Sequence, residues 1–235
     1  MNIRFLGIEV ERKTSILALA AFLLSLSSIG YQIFSFLKGP EVTLAKSRQV
    51  IIYMYPAADT SERFLTLVTT LAYVNNGQPG NNAVVMEERV SFALDGKEYK
   101  YNWHEFVSIT LLPRAGTPDT RGERGIDLGQ TRTSSPFVVA AGGAEAHETW
   151  FAPRFDDQFV GREAVVRALE SALKGGHLLW KFQFYAETLN DGTKTADCEI
   201  TISARLAQQI LSQELGWAAL NCNQPPQGNL PGSLR

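Results

Sequence analysis

The residues of this 235-residue chain best suited to chemistry are three histidines, two cysteines and one adjacent glutamate pair. Histidine is the usual base in nucleophilic catalysis, but it works beside a nucleophile and an orienting acid. His104 stands next to Glu105 on the polar side of an alternating segment, His147 precedes Glu148, and His177 follows Gly175-Gly176. No G-x-S-x-G, P-loop or H-E-x-x-H sequence accompanies them, so each reads as a solvated or core histidine. Glu87 and Glu88 would suit glycoside cleavage only if both reached one side, whereas neighbours on a strand point to opposite faces. Glu88 shares its alternation with Val84, Met86, Val90 and Phe92. Either a bulge re-aims it, or it is a buried acid needing a partner that Arg89, on the other face, does not supply.

Cys198 and Cys222 have no C-x-x-C spacing and no histidine at ligand distance, so neither a metal site nor a cofactor site is expected. In an oxidising compartment the two would form a disulfide enclosing the terminal segment. The competing reading makes Cys198 a small buried hydrophobe beside Ile200 and Ile202. The stretch from Pro113 to Pro136 reads as a long loop holding Arg114, Arg121, Arg124 and Arg132 among Gly, Pro and Thr. Arginine forks suit carboxylate, phosphate or the acidic surface of a partner, and a solvated insertion is the plainer alternative. Trp103, Trp150 and Trp180 would either line a ligand site or belong to the core. These constellations lead to an expectation of a non-catalytic protein.

The elements that would position these residues begin with an anchor. From Thr14 to Leu37 there are 24 consecutive residues without Asp, Glu, Lys, Arg or His. As a helix this run spans about 36 Å, enough for a hydrocarbon core of about 30 Å with some tilt. Arg12-Lys13 and Lys38 close it, and Gly39-Pro40 stops it. A cleaved signal peptide would end near Ser25-Leu26-Ser27, yet apolar residues continue through Ile29, Ile33, Phe34 and Leu37. A buried core helix is another competitor, and a paired or re-entrant segment would need a second long hydrophobic run, which the sequence lacks. The basic flanks place the N-terminus in the cytoplasm and the rest of the chain outside the inner membrane, in the periplasm if the cell is bacterial. Thr14, Ala18, Ala21, Ser25, Ser28, Gln32 and Ser35 recur every three or four residues, so small and polar side chains line one stripe of the helix. Such a stripe suits contact with a second membrane helix, from a copy of the chain or from another protein.

The chain reads as a short arm (1–13), the membrane helix (14–37), a linker with a first strand (38–48), a folded domain (49–222) and a tail (223–235). Net charge is −2 overall, and the acidic excess lies beyond the anchor, so nucleic-acid binding is not indicated. Alternating runs over Phe64–Val74, Ala83–Leu94, Lys97–Ile109, Leu178–Thr188 and Thr195–Ser203 predict strands, with hairpin turns at Asp95-Gly96 and Asn190-Asp191-Gly192. Helical spacing predicts one helix within Phe159–Leu173 and another over Leu206–Leu220. The expected fold is mainly β: an antiparallel, immunoglobulin-like sandwich with one or two added helices, behind an N-terminal membrane helix. An α+β domain with one helix-covered sheet is the rival. With no catalytic constellation, the expected role is an interaction module or subunit of an envelope membrane complex. A domain sensing wall fragments or small anions comes second, and a hydrolase with an assembled site third.

Overall fold

The computed structural model describes residues 3–5, 8–10, 16–45, 47–56, 63–94, 96–112, 125–153, 159–212 and 217–222. A hairpin of β1 (Ile3–Phe5) and β2 (Ile8–Val10) comes before α1 (Ile16–Lys38). Next run β3 (Val42–Ala45), β4 (Gln49–Pro56), β5 (Arg63–Asn75), β6 (Ala83–Leu94) and β7 (Lys97–Leu112). They are followed by β8 (Gly125–Thr133), β9 (Phe137–Val139), β10 (Ala144–Ala152) and α2 (Arg162–Gly175). The chain closes with β11 (His177–Leu189), β12 (Gly192–Ser203), α3 (Ala204–Ser212) and β13 (Trp217–Asn221). Strands hold 59 % of the described residues, which makes the protein mainly β, with three helices among those residues. Thr14, Asp95, Arg114, Arg121, Arg124 and the tail 223–235 lie outside the described residues.

Eleven strands form one antiparallel sheet with the path β12-β11-β6-β7-β10-β5-β4-β13. The expectation of two packed sheets in an immunoglobulin-like sandwich is corrected here: the pairing is continuous and the sheet is barrel-like. Its two end strands are brought together by the disulfide Cys198–Cys222, which joins the middle of β12 to the residue after β13. Inward positions follow the expected alternation, with Trp180, Phe182, Phe184 and Ala186 on β11 and Ala196, Cys198, Ile200 and Ile202 on β12 all buried. On α2, Val165, Ala168, Leu169 and Ala172 turn into the same core, and Gly176, at φ +82°, ends that helix in the left-handed conformation. α2 packs on α3 and against β5, β6, β11 and β12.

Two further expectations change. Part of the predicted Arg-bearing loop is strand β8, because β7 pairs with β6 only as far as Asn102 and β8 takes up the edge from Glu105 to Leu112. The predicted terminal helix stops at Ser212; beyond it, Ala218 and Leu220 are buried at period two and β13 pairs with β4. A two-residue repeat this short is weak beside the helical spacing before it, and the open edge of β4 decides it.

Candidate functional site

Helix α1 is long and apolar enough to span a membrane, and none of the segment Ala18–Ser35 is buried against the domain. This removes the core-helix reading. The C-terminal end of the helix is nevertheless bolted to the sheet. Asn81, itself buried, donates from Nδ2 to the carbonyls of Ser35 (2.7 Å) and Gly39 (3.0 Å). Carbonyls in the last turn of a helix lack an internal partner, so a side-chain amide placed there fills a real vacancy. Behind it stands Asn75, with no exposed surface. Its Oδ1 accepts from the amides of Glu41 (3.2 Å) and Gly77 (2.9 Å), and its Nδ2 donates to the carbonyls of Asn81 (2.9 Å) and Val139 (3.1 Å). The Asn76 amide donates to the Glu41 carbonyl at 2.8 Å. A Cβ on Gly77 would lie 2.8 Å from Asn75 Oδ1 and 3.1 Å from Pro40 Cα, so only glycine lets the two segments meet this closely. On the other side of the joint, Val42 N donates to Asp191 Oδ2 at 2.7 Å.

A second cluster lies inside the sheet around Glu88, which has no exposed surface. Its Oε1 accepts from the Tyr73 hydroxyl at 2.5 Å and its Oε2 from the Thr149 hydroxyl at 2.7 Å. His147 Nε2 lies 2.8 Å from Oε1, within hydrogen-bond distance. The imidazole is wedged against the edges of Phe106 and Phe137, with ring centroids at 4.2 and 4.6 Å, and its Nδ1 is buried without a hydrogen-bond partner. Of the two readings of Glu88, the buried acid is the one realised. A bulge does exist, but at Met86, where the β6–β11 register skips a residue; it turns Val84 and Met86 outward and leaves Glu88 facing in. Burial, and next the adjacent Glu88 charge, push the Tyr73 hydroxyl far above the usual tyrosine range. Burial likewise raises Tyr101, opposed by the Val160 amide that donates to its oxygen. Chemically the cluster is a closed acceptor site. Both hydroxyls donate to the carboxylate and neither to the imidazole, so no nucleophile–base pair forms.

The other singled-out residues are dispersed. Ala18, Ala21, Ser25, Ser28 and Gln32 are exposed along α1, and Ser35 is half-buried at the joint. The Ser25 hydroxyl donates back to the Ala21 carbonyl at 2.9 Å. Arg132, on β8, stacks its guanidinium 4.5 Å from the Phe106 ring centroid. His104 is exposed beside Glu105 and Trp150, and His177 is exposed at the start of β11. Trp180 is core, Trp103 packs against the core, and Trp150 sits on the outer face with Tyr55 at 5.1 Å. Among the described residues no group of three or more His, Cys, Asp or Glu converges as a metal site would require. Spacing did not reveal the placement of Asn81 at the helix end or of His147 beside Glu88. The signal for His147 was its shared alternation with Thr149 and Phe151, and for Asn81 only the density of asparagine in 75–82. No protein-family model matches the chain, and no curated protein matches it.

Proposed function

We propose that this chain is a retained single-pass membrane protein whose barrel-like domain stands outside the cytoplasm, periplasmic in a bacterial cell, and serves without catalysis as an interaction module or subunit of an envelope membrane complex. The observation that supports it best is the joint. Residues 35–42, which run from the last turn of the apolar helix to the start of β3, are held by the hydrogen-bond network of Asn75, Asn81 and Asp191. A leader destined for removal has no need of a buried asparagine cluster holding its end. The stripe from Thr14 to Ser35 is then the surface offered to a second membrane helix, and Arg114, Arg121, Arg124 and Arg132 are offered to a partner outside the bilayer. The disulfide agrees with an oxidising compartment.

Crosslinking of the full chain in its native membrane tests the proposal. The expected result is a discrete adduct that weakens in the double variant Ser28→Leu and Gln32→Leu while the Cys198–Cys222 bond persists. Monomer alone, with no neighbour at any crosslinker length, would refute the assembling role.

A second reading is favoured by one observation. Tyr53, Tyr55, Phe64 and Trp150 form a chain of ring contacts on the outer sheet face, with Trp150 Nε1 buried and unpartnered. Such a surface suits a wall fragment, and thermal shift of the protein with wall fragments, and with small anions for comparison, separates this reading from the first.

A further inference from the structure

The joint fixes which part of the domain lies next to the end of α1, and one row of outward side chains there is apolar. Leu189 on β11, Val84 on β6 and Val138 on β9 are direct cross-strand partners in one row. Their strand neighbours Thr188, Ala83, Val85, Phe137 and Val139 are buried, so the row itself faces out. Leu189 is 50 % and Val138 56 % exposed. Near each member in sequence stands a residue of the hydrogen-bond network at the joint. Val84 follows the helix-capping Asn81 by three residues, about 10 Å of extended chain. Val138 adjoins Val139, whose carbonyl accepts from Asn75. Leu189 is two residues from Asp191, which accepts from Val42. Val74, 37 % exposed, likewise adjoins Asn75 on the other side of the joint.

We infer that this row is seated on the lipid bilayer, so that the domain stands on the membrane in one fixed orientation. The bilayer is the occupant because the row is continuous with the end of the apolar helix. A headgroup layer is about 5–8 Å thick on each side of the hydrocarbon, comparable to the separation between the row and the helix cap. Lys38, the last helical residue, marks that level, and Tyr31 stands two turns below it with its hydroxyl donating to Gln78 Oε1 of the domain at 3.3 Å. Bonds from Asn75 and Asn76 to Glu41, from Asn81 to Ser35 and Gly39, and from Val42 to Asp191 leave the domain little freedom to tilt away. The inference rests on α1 being a retained anchor, and the test separates the two.

The full chain is placed in phosphatidylcholine nanodiscs with a single environment-sensitive fluorophore at Val138→Cys, Leu189→Cys, Ile29→Cys in the helix, or Glu170→Cys on the exposed side of α2. Lipids spin-labelled at the headgroup or deep in the acyl chain act as quenchers. The seating predicts that Val138→Cys and Leu189→Cys are quenched by headgroup label several-fold more than Glu170→Cys, while Ile29→Cys responds to the chain label. Quenching at Ile29 with Val138 and Leu189 no different from Glu170 overturns the seating and leaves the anchor intact. No quenching at Ile29 overturns the anchor and the seating together. Emission at Val138 that shifts with protein density, without lipid quenching, assigns the row to a second copy and also overturns the inference.

Discussion

A carboxylate with no exposed surface is stable only while its acceptors are filled, and Glu88 draws on Tyr73, Thr149 and His147 to fill them. Removing it strands two buried hydroxyls and an imidazole at once. Glu88→Ala is therefore expected to cost roughly 3–5 kcal/mol, seen as a lower urea midpoint with an unchanged slope. The tyrosines give a pH signature of definite sign. Tyr73 and Tyr101 have folded pKa values above those of the unfolded chain, so their contribution is complete below about pH 10, the ordinary tyrosine value, and is lost as pH rises beyond it. Urea midpoints measured from pH 8 to 11.5 should fall above pH 10, and a flat profile would show that these hydroxyls are not buried. The alternation of Glu88 with Val84, Met86, Val90 and Phe92 offered a buried acid as one of two readings, beside a bulge that re-aims it. Its partners were hidden because Tyr73, His147 and Thr149 come from two other strands, and only the sheet pairing puts them together.

Among the elements, α1 and the segment 75–82 form one mechanical unit. Asn75-Asn76-Gly77 reads in sequence as a turn signal, which is true but incomplete: the same residues accept and donate to the backbone at the base of the helix. Local chemistry shows a turn; it does not show what the turn leans against. Asn75→Ala would leave two amides and two carbonyls at a buried joint short of a partner, and about 2–4 kcal/mol of lost stability is expected. Asn81→Ala, facing the helix end, should affect thermal stability less but raise protease cleavage between Leu37 and Val42. The long strands were legible because alternation extends over ten residues or more, as in β11 and β12. Strands β8 and β13 were not, since each depends on an edge that a distant strand leaves open.

At the scale of the whole molecule, the sheet is a barrel-like wrap whose seam is closed covalently by Cys198–Cys222, with Cα atoms 5.1 Å apart. The bond lies between residues 24 apart in sequence but joins the first and last strands of the sheet path, so it guards both edges from fraying. The double variant Cys198→Ala with Cys222→Ala should lose about 3 kcal/mol, read as a thermal midpoint lower by roughly 6–12 °C. A sandwich was inferred from hairpins and aromatic alternation, and those local features are present. What they do not encode is whether consecutive hairpins join one sheet or two, a choice made by the crossing of β10 between β5 and β7. The assembling role and the seating on the bilayer both require α1 to stay with the domain. The most direct test is the intact mass of the protein recovered from alkaline-washed membranes of its native cell. A retained anchor predicts a membrane-retained chain whose mass still includes α1. A shorter chain beginning just after Ser27, or one released by the wash, would contradict it.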